Sequence, residues 1–344
     1  MLLLAVLAIA SAAAPACGAC GPEARAFLDA VSRAGAPVAH PEPAYHFADE
    51  LYAAIAPWVA ERPGVVEPLR LGQTAEGADI WGFRLREPGA PVRGRMLVFG
   101  NIHALEWVPS EVALTFLEGF AAQPIAGVEV VVVPTLNRDG RARVERDLLS
   151  GERVYRRGNA AGVDLNRDFG HNRESTAIWK ALLPRRYVVS PRTLSQPESR
   201  AIVELAAAAP FDAAVSLHSF GGFFYYPWAG RFERAADHAE LHRLGVLMQG
   251  AMDRHPYRPR QLSRWGFFFR GLGMEVDHLY GEWGTYSFLV ETTRSGLRGP
   301  RDLSDPFRVY NPVDPRPHAR EGLRYLRALA AEVATGRVKA RGPR

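Results

Sequence analysis

The chain has 344 residues, of which 47% are hydrophobic and 23% are charged, the composition of an ordinary soluble globular protein. Its length allows one large domain or two small ones. The net charge of +5 comes almost wholly from arginine, and because acidic residues lie between the arginines, no basic stripe predicts binding to nucleic acid.

The first predicted element is a secretory signal over residues 1–16, where an apolar run ends in the small residues Ala14 and Ala16. The run is too short to span a bilayer as a helix, so no transmembrane segment is predicted. An ordinary apolar N-terminal helix is the alternative. We expect an exported protein, either periplasmic or extracellular.

Both cysteines, Cys17 and Cys20, directly follow this segment. Their spacing also occurs in redox pairs and zinc half-sites, but no second cysteine pair or adjacent βαβ pattern supports either. A small local disulfide, or a lipid anchor on one of the two sulfurs, fits an exported protein better. We interpret residues 17–40 as a leader, 41–338 as a single catalytic body and 339–344 as a basic tail.

Periodicity predicts alternating helices and strands through the body. Helices are expected near 23–33, 45–59, 112–120, 195–208, 235–252 and 317–338, and strands near 65–71, 80–85, 96–99, 130–133, 211–217 and 286–291. The first two strands form a predicted hairpin, and the β-branched run at 130–133 is typical of a strand buried on both faces. This order predicts one α/β domain with a mixed, mostly parallel sheet flanked by helices.

The stretch between the fourth strand and the fourth helix is less regular. Asn137 to Gly140 is predicted to be a turn, and residues 141–188 a long, arginine-rich loop suited to gripping a substrate. Ser195 and Glu198 have the spacing of a capping box at the start of the next helix.

A metal site is predicted where the third strand ends. His103 and Glu106 follow the strand at 96–99, and open α/β sheets build their sites at such carboxyl ends. An imidazole and a carboxylate three residues apart can bind one divalent cation and suit zinc. The same spacing recurs at His171/Glu174 and His318/Glu321, but only the first pair follows a strand and precedes a helix.

Two later strands supply further candidates. His218 ends the strand at 211–217 and would complete a set of two imidazoles and one carboxylate, as in catalytic zinc sites. Glu291 ends the apolar strand at 286–291, where a carboxylate is costly unless it has a role or a partner. It is either a charge that reaches solvent or, beside a zinc-bound water, a general base.

The chain resembles the zinc metallocarboxypeptidases of the carboxypeptidase A type over about residues 45–334. The resemblance rests on five blocks in matching order: GNIHALEWVPSE, VVVPTLNRDG, ERVYRRGNAAGVDLNRDFG, SLHSFGGFFYYP and DHLYGEWGTYSFLVE. It implies a zinc carboxypeptidase fold, one Zn²⁺ per chain and hydrolysis at the C-terminus of peptides or proteins. We expect a monomer.

The resemblance also implies roles for individual residues. The zinc ligands fall on His103, Glu106 and His218, and the general base falls on Glu291. Arg156 matches the arginine that stabilises the transition state, and Asn166 and Arg167 match the pair that binds the terminal carboxylate of the substrate. Asp164 matches the acid that supports the first zinc imidazole.

Several positions depart from the family pattern. Phe269 stands where the family has a tyrosine that closes over the substrate, and Leu105 and Phe220 replace an arginine and a second tyrosine. All three changes remove polar contacts to the substrate. The pocket-floor position falls on Val276, which favours a hydrophobic or aromatic C-terminal residue, although the adjacent Glu275 keeps a basic preference open.

Two alternatives share this site. A peptidase acting on cell-wall stem peptides would use the same metal centre and carboxylate grip. A catalytically silent binding protein would be expected to lose a ligand or the base, yet all four residues are present. A serine hydrolase is disfavoured because the chain has no Gly-x-Ser-x-Gly motif.

Overall fold

Eight strands form one mixed sheet in the computed structural model, which describes residues 20–35, 38–266, 268–294 and 304–344. The strands are β1 (Val66–Gln73), β2 (Asp79–Leu85), β3 (Gly94–Phe99), β4 (Val128–Val133), β5 (Ala213–His218), β6 (Phe223–Tyr226), β7 (Arg258–Gln261) and β8 (Tyr286–Glu291). Their order is β1-β2-β4-β3-β5-β8-β6-β7, with β4, β3, β5 and β8 mutually parallel at the centre. The predicted fold class is confirmed.

Ten helices accompany the sheet within the described residues. They are α1 (Pro22–Arg33), α2 (Ala48–Glu61), α3 (Val108–Ala122), α4 (Arg138–Ser150), α5 (Trp179–Leu182), α6 (Pro197–Ala208), α7 (His238–Gly250), α8 (Glu275–Trp283), α9 (Pro306–Tyr310) and α10 (Arg316–Ala334). In this described part of the chain, no helix combines the length and apolar character needed to cross a bilayer.

Both faces of the sheet are covered by apolar side chains. In β3, Met96 and Val98 belong to one core cluster with residues of α3 and α10, whereas Leu97 and Phe99 belong to another with residues of α6. Successive side chains of a strand point to opposite faces, so burial on both sides requires an unbroken apolar run. The polar residues that follow such a strand are therefore confined to its end.

The predicted loop at 141–188 is wrong over its first ten residues, because α4 continues through them. The side chain of Asn137 accepts a hydrogen bond from the Gly140 amide at 3.0 Å and caps the helix, and Gly151 ends it with φ of +75°. The predicted capping box is also wrong: Ser195 donates its hydroxyl to Asp168 and does not cap α6.

The N-terminal end of the described chain packs into the main core. Phe27 in α1 is fully buried and makes edge contacts with the rings of Tyr52, Trp81 and Phe83. The predicted division at residue 41 therefore separates a packed helix from the core that it helps to build. At the other end, the amide of Ala340 donates to the Asp212 carboxylate at 3.1 Å, so the basic tail is also held against the body.

The predicted signal, residues 1–16, and Cys17 lie outside the described residues. Cys20 is buried and disulfide-bonded. A cysteine in a disulfide has no free thiol to which a lipid could be attached. At Cys20 the disulfide is therefore favoured over the lipid anchor.

Replacing Phe27 with alanine is expected to lower the free energy of unfolding by about 3–5 kcal/mol, because it empties a fully buried ring site. Chemical denaturation followed by circular dichroism measures the change. The control Asp29→Ala, at an exposed position of the same helix, should change the value by less than about 0.5 kcal/mol. Equal, small effects of both substitutions would show that α1 is not part of the core.

Candidate metal centre and substrate cleft

The loop that follows β3 is held by its own polar residues. Asn101 has φ of +54°, a left-handed conformation that asparagine tolerates, and its amide donates to the carbonyl oxygens of His103 at 2.9 Å and Glu106 at 3.0 Å. At Gly100 an added Cβ would lie 3.1 Å from the backbone of Pro109, so a side chain has no room there. These contacts fix the loop that carries two of the predicted ligands.

The three predicted metal ligands come together. Nδ1 of His103 lies 2.8 Å from Oε1 of Glu106, and Nδ1 of His218 lies 3.2 Å from both Nδ1 of His103 and Oε2 of Glu106. All three residues are at most 3% exposed. His103 and His218 are 115 positions apart, but they follow neighbouring parallel strands, whose carboxyl ends meet at one edge of the sheet.

Carboxylates hold the outer nitrogens of both imidazoles. Nε2 of His103 lies 3.1 Å from Oδ1 of Asp164, and Nε2 of His218 lies 3.2 Å from Oε1 of Glu275. Because a carboxylate accepts a hydrogen bond, each Nε2 donates outward, and each Nδ1 faces the space shared by the three side chains. The sequence predicted the contact with Asp164 by resemblance but missed this role of Glu275.

The electrostatics of the cluster favour a positive charge among its donor atoms. Burial alone would lower the pKa of His218, but hydrogen bonds to Glu106 and Glu275 raise it to about 10. Burial alone would raise the pKa of Glu106, but the two imidazoles hold it well below its ordinary value. Two imidazole nitrogens and one carboxylate form the donor set of catalytic zinc sites, so these residues fit a zinc ion.

Glu291 ends β8 directly beside His218, with which it is in register across β5 and β8. Its Oε2 is buried and has no hydrogen-bond partner among the described residues. At Gly221 an added Cβ would lie 3.1 Å from Cβ and Cγ of Glu291, so the absence of a side chain there leaves room for Glu291. Burial, together with the negative charge of Glu106, raises the pKa of Glu291.

The two adjacent arginines at 156 and 157 point to different places. Arg156 forms a two-bond ion pair with Asp147 of α4, whereas Nε of Arg157 donates to Asp164 at 2.8 Å and its Nη1 lies 3.6 Å from Glu106. The backbone carbonyl of Arg157 also accepts from the amide of Ala104, which fixes this residue beside the metal loop. The geometry therefore favours Arg157 over the predicted Arg156.

The predicted carboxylate grip lies next to the same loop. Asn166 and Arg167 belong to a short 3₁₀ turn capped by Asp164, whose Oδ1 accepts from the Asn166 amide at 3.0 Å. Oδ1 of Asn166 accepts from the backbone amide of Glu275 at 3.2 Å. Arg167 lines a cavity of about 670 Å³ whose wall also includes Arg157, Asp164 and Phe269.

The residues predicted to affect substrate preference lie in different parts of the structure. Phe269 lines this cavity and packs on a small apolar cluster, but Val276 is fully buried in that cluster and is not part of the cavity wall. Leu105 is buried in the main core, which accounts for an apolar residue there. The Phe220 ring lies 5.5 Å, between centroids, from that of Tyr310, a residue near Arg157 that the sequence did not single out.

A buried set of two histidines and one glutamate, with Oε2 of Glu291 beside it at the strand ends, offers the donor set of a catalytic zinc site. A sequence model of the family described as zinc carboxypeptidase matches residues 51–301. The chain belongs to this family, as the sequence resemblance predicted.

Curated relatives are similar to this chain over most of its length, and solved structures share its fold. The chain is 25% identical over 277 residues to carboxypeptidase A1 of Rattus norvegicus, covering 74% of this chain and 64% of that one, and 23% identical over 273 residues to carboxypeptidase B of Astacus astacus, covering 74% and 88%. The chain thus spans less than two thirds of the rat relative. The crystal structure of carboxypeptidase A from Helicoverpa armigera has a TM-score of 0.68 at 20% identity, covering 91% of this chain and 80% of that one.

Removing either supporting carboxylate should weaken metal binding. Glu275→Gln and Asp164→Asn are each expected to lower the affinity for Zn²⁺ by about 10–100-fold, because the charge that strengthens each imidazole as a donor is lost. Competition with a chromophoric chelator measures the affinity. Glu61→Gln, at an exposed position of α2, is the control. Unchanged affinity in both variants would contradict the assigned support.

Proposed function

We propose that this protein is a zinc-dependent exopeptidase that hydrolyses the C-terminal peptide bond of peptides or proteins. One observation carries the proposal: the cavity lined by Arg167 is also lined by Arg157 and Asp164, both of which contact the three-residue metal cluster. A group that can hold a chain-terminal carboxylate and a centre that can activate water therefore share one cleft.

We assign Glu291 the role of general base. A zinc ion held by His103, Glu106 and His218 would supply a Lewis acid and lower the pKa of a water molecule to about 7. Glu291 accepts a proton from the attacking water and delivers it to the leaving amine nitrogen. Such general acid–base catalysis contributes about 10²–10⁴-fold in rate.

Two arginines stabilise the negative charges of the reacting substrate. Arg157, beside Glu106, is placed to stabilise the negative charge that develops on the scissile carbonyl oxygen. Arg167, supported by Asn166, holds the terminal carboxylate of the substrate, since a planar guanidinium can form two parallel hydrogen bonds to it. Each charged hydrogen bond of this kind contributes about 1.5–3 kcal/mol, which favours chain ends over internal bonds.

The surroundings of Glu275 bear on substrate preference. Its side chain is fully buried and one of its oxygens is committed to His218. Because this carboxylate is not among the residues that line the cavity, a basic substrate side chain would not reach it, and we propose a preference for hydrophobic or aromatic C-terminal residues. Phe269 can cover such a residue but has no hydroxyl to donate.

The apolar segment over residues 1–16 supports export to the periplasm or the extracellular space. We further propose that the protein acts as a monomer with one catalytic zinc per chain.

The proposal is tested by a release assay over peptides that differ in their last residue. Free amino acid should appear only from peptides with a free carboxylate, should be absent from C-terminal amides, and should cease when a chelator removes the metal. Glu291→Gln should lose at least about 10²-fold in kcat while retaining its zinc. Turnover of amidated peptides at an equal rate would overturn the exopeptidase assignment, and a wild-type rate in the variant would remove the assigned base.

The two adjacent arginines provide a matched pair of variants. Arg157→Ala is expected to lower kcat by about 10²–10³-fold, because it removes a charge placed at the reacting carbonyl. Arg156→Ala removes only a partly exposed ion pair with Asp147 and should change kcat by a few-fold at most. Steady-state kinetics on one peptide compares them, and the reverse order would restore the original assignment of Arg156.

A further inference from the structure

A second group of metal-binding side chains lies apart from the catalytic cluster. His278 and Glu282 are four residues apart on α8, so both project from one face of the helix. His171, in the loop after the 3₁₀ turn, places its Nδ1 3.2 Å from Oε1 of Glu282. One donor atom from each of the three residues lies within 4.8 Å of the other two.

His278 is the unusual member of this group. It is only 5% exposed, and neither Nδ1 nor Nε2 has a hydrogen-bond partner within the described residues. A buried polar group without a partner costs about 1–3 kcal/mol, so such groups are rare in folded proteins. Its ring is fixed by Phe169 and Trp283, at centroid distances of 5.8 and 5.5 Å. The packing therefore fixes an imidazole whose two nitrogen atoms take no part in the catalytic site.

Two glycines allow the loop to lie directly on α8. A Cβ added at Gly281 would lie 2.3 Å from the His171 ring, and one added at Gly170 would lie 3.3 Å from the His278 ring. Because neither glycine has a side chain, the rings of His171 and His278 approach to 5.7 Å between their centroids. The close approach of loop and helix thus depends on residues that leave space for both rings.

We propose that His171, His278 and Glu282 bind a second divalent transition-metal ion, with Zn²⁺ the preferred occupant. Two imidazole nitrogens and one carboxylate oxygen suit zinc, and a water molecule would complete the coordination at the solvent-facing side. Ligand atoms around a tetrahedral zinc lie roughly 3.4 Å apart, as follows from bonds of about 2.1 Å. The half-buried His171 and the exposed Glu282 can rotate to close the remaining distance to His278.

The protonation state of the cluster is compatible with metal binding. Burial lowers the pKa of His278 to about 4, and burial also lowers the pKa of His171. Burial thus favours the neutral form of both rings, which is the form that binds a metal ion.

A metal ion at this site would link α8 to the segment that follows the 3₁₀ turn with Asn166 and Arg167. In the same loop, Nδ2 of Asn172 donates to Asp277 at 2.6 Å, and a few residues earlier Asn166 accepts from the Glu275 amide. A metal ion at His171 would add a third link between this segment and the helix. Its role is structural, since it holds the carboxylate grip and the helix beside His218 in one arrangement.

Zinc alone is the probe that tests the site. The wild-type protein, with its catalytic centre filled, should bind a second equivalent of Zn²⁺ in isothermal titration calorimetry, and its melting temperature should rise as that equivalent is added. Glu282→Gln and His171→Gln should weaken this second binding at least about 10-fold and abolish the rise in melting temperature, because each removes one ligand.

Glu174→Gln is the matched control, since Glu174 is exposed and shares a His-x-x-Glu spacing with His171 but is not part of the cluster. It should bind the second equivalent as the wild type does. A single equivalent in the wild type, or a second equivalent that Glu282→Gln and His171→Gln bind with unchanged affinity, would overturn the proposal. Because Glu282 is exposed, loss of folding should not obscure its variant.

Discussion

The chemistry of the molecule depends on three donor groups that the fold confines in one buried space. Two imidazole nitrogens and a carboxylate meet within about 3 Å, a cluster that is stable only with a positive charge among its atoms. The parallel strands β3 and β5 supply the rigid edge that brings these groups together. Asp164 and Glu275, placed outside the imidazoles, set which nitrogen faces inward.

Much of this centre was predictable from the sequence, because a strand end is visible in the residue pattern. The apolar runs before His103, His218 and Glu291 placed all three at carboxyl ends, and parallel pairing brought those ends together. The choice between Arg156 and Arg157 was not predictable in this way. Their segment has no regular periodicity, and tertiary contacts with Asp147, Asp164 and Ala104 determine which guanidinium faces the cluster.

The missed residues share a physical reason. Glu275 precedes an apolar residue in a stretch whose helix was not predicted, and its partner is 57 positions away. Residues of α4 carry many charges, so their helical pattern was hidden, although Asn137 and Gly151 mark its two ends. Leu105 shows the converse: the structure accounts for a departure from the family pattern by placing its side chain in the core.

Helix α8 has a consequence for how this protein can vary. Its first turn contacts His218 through Glu275 and its last turn carries Glu282, so its nine residues connect the predicted zinc ligands at one end with the proposed second site at the other. An insertion of one residue would rotate everything beyond it by about 100°, because the helix has 3.6 residues per turn. The length and phase of this segment are therefore fixed.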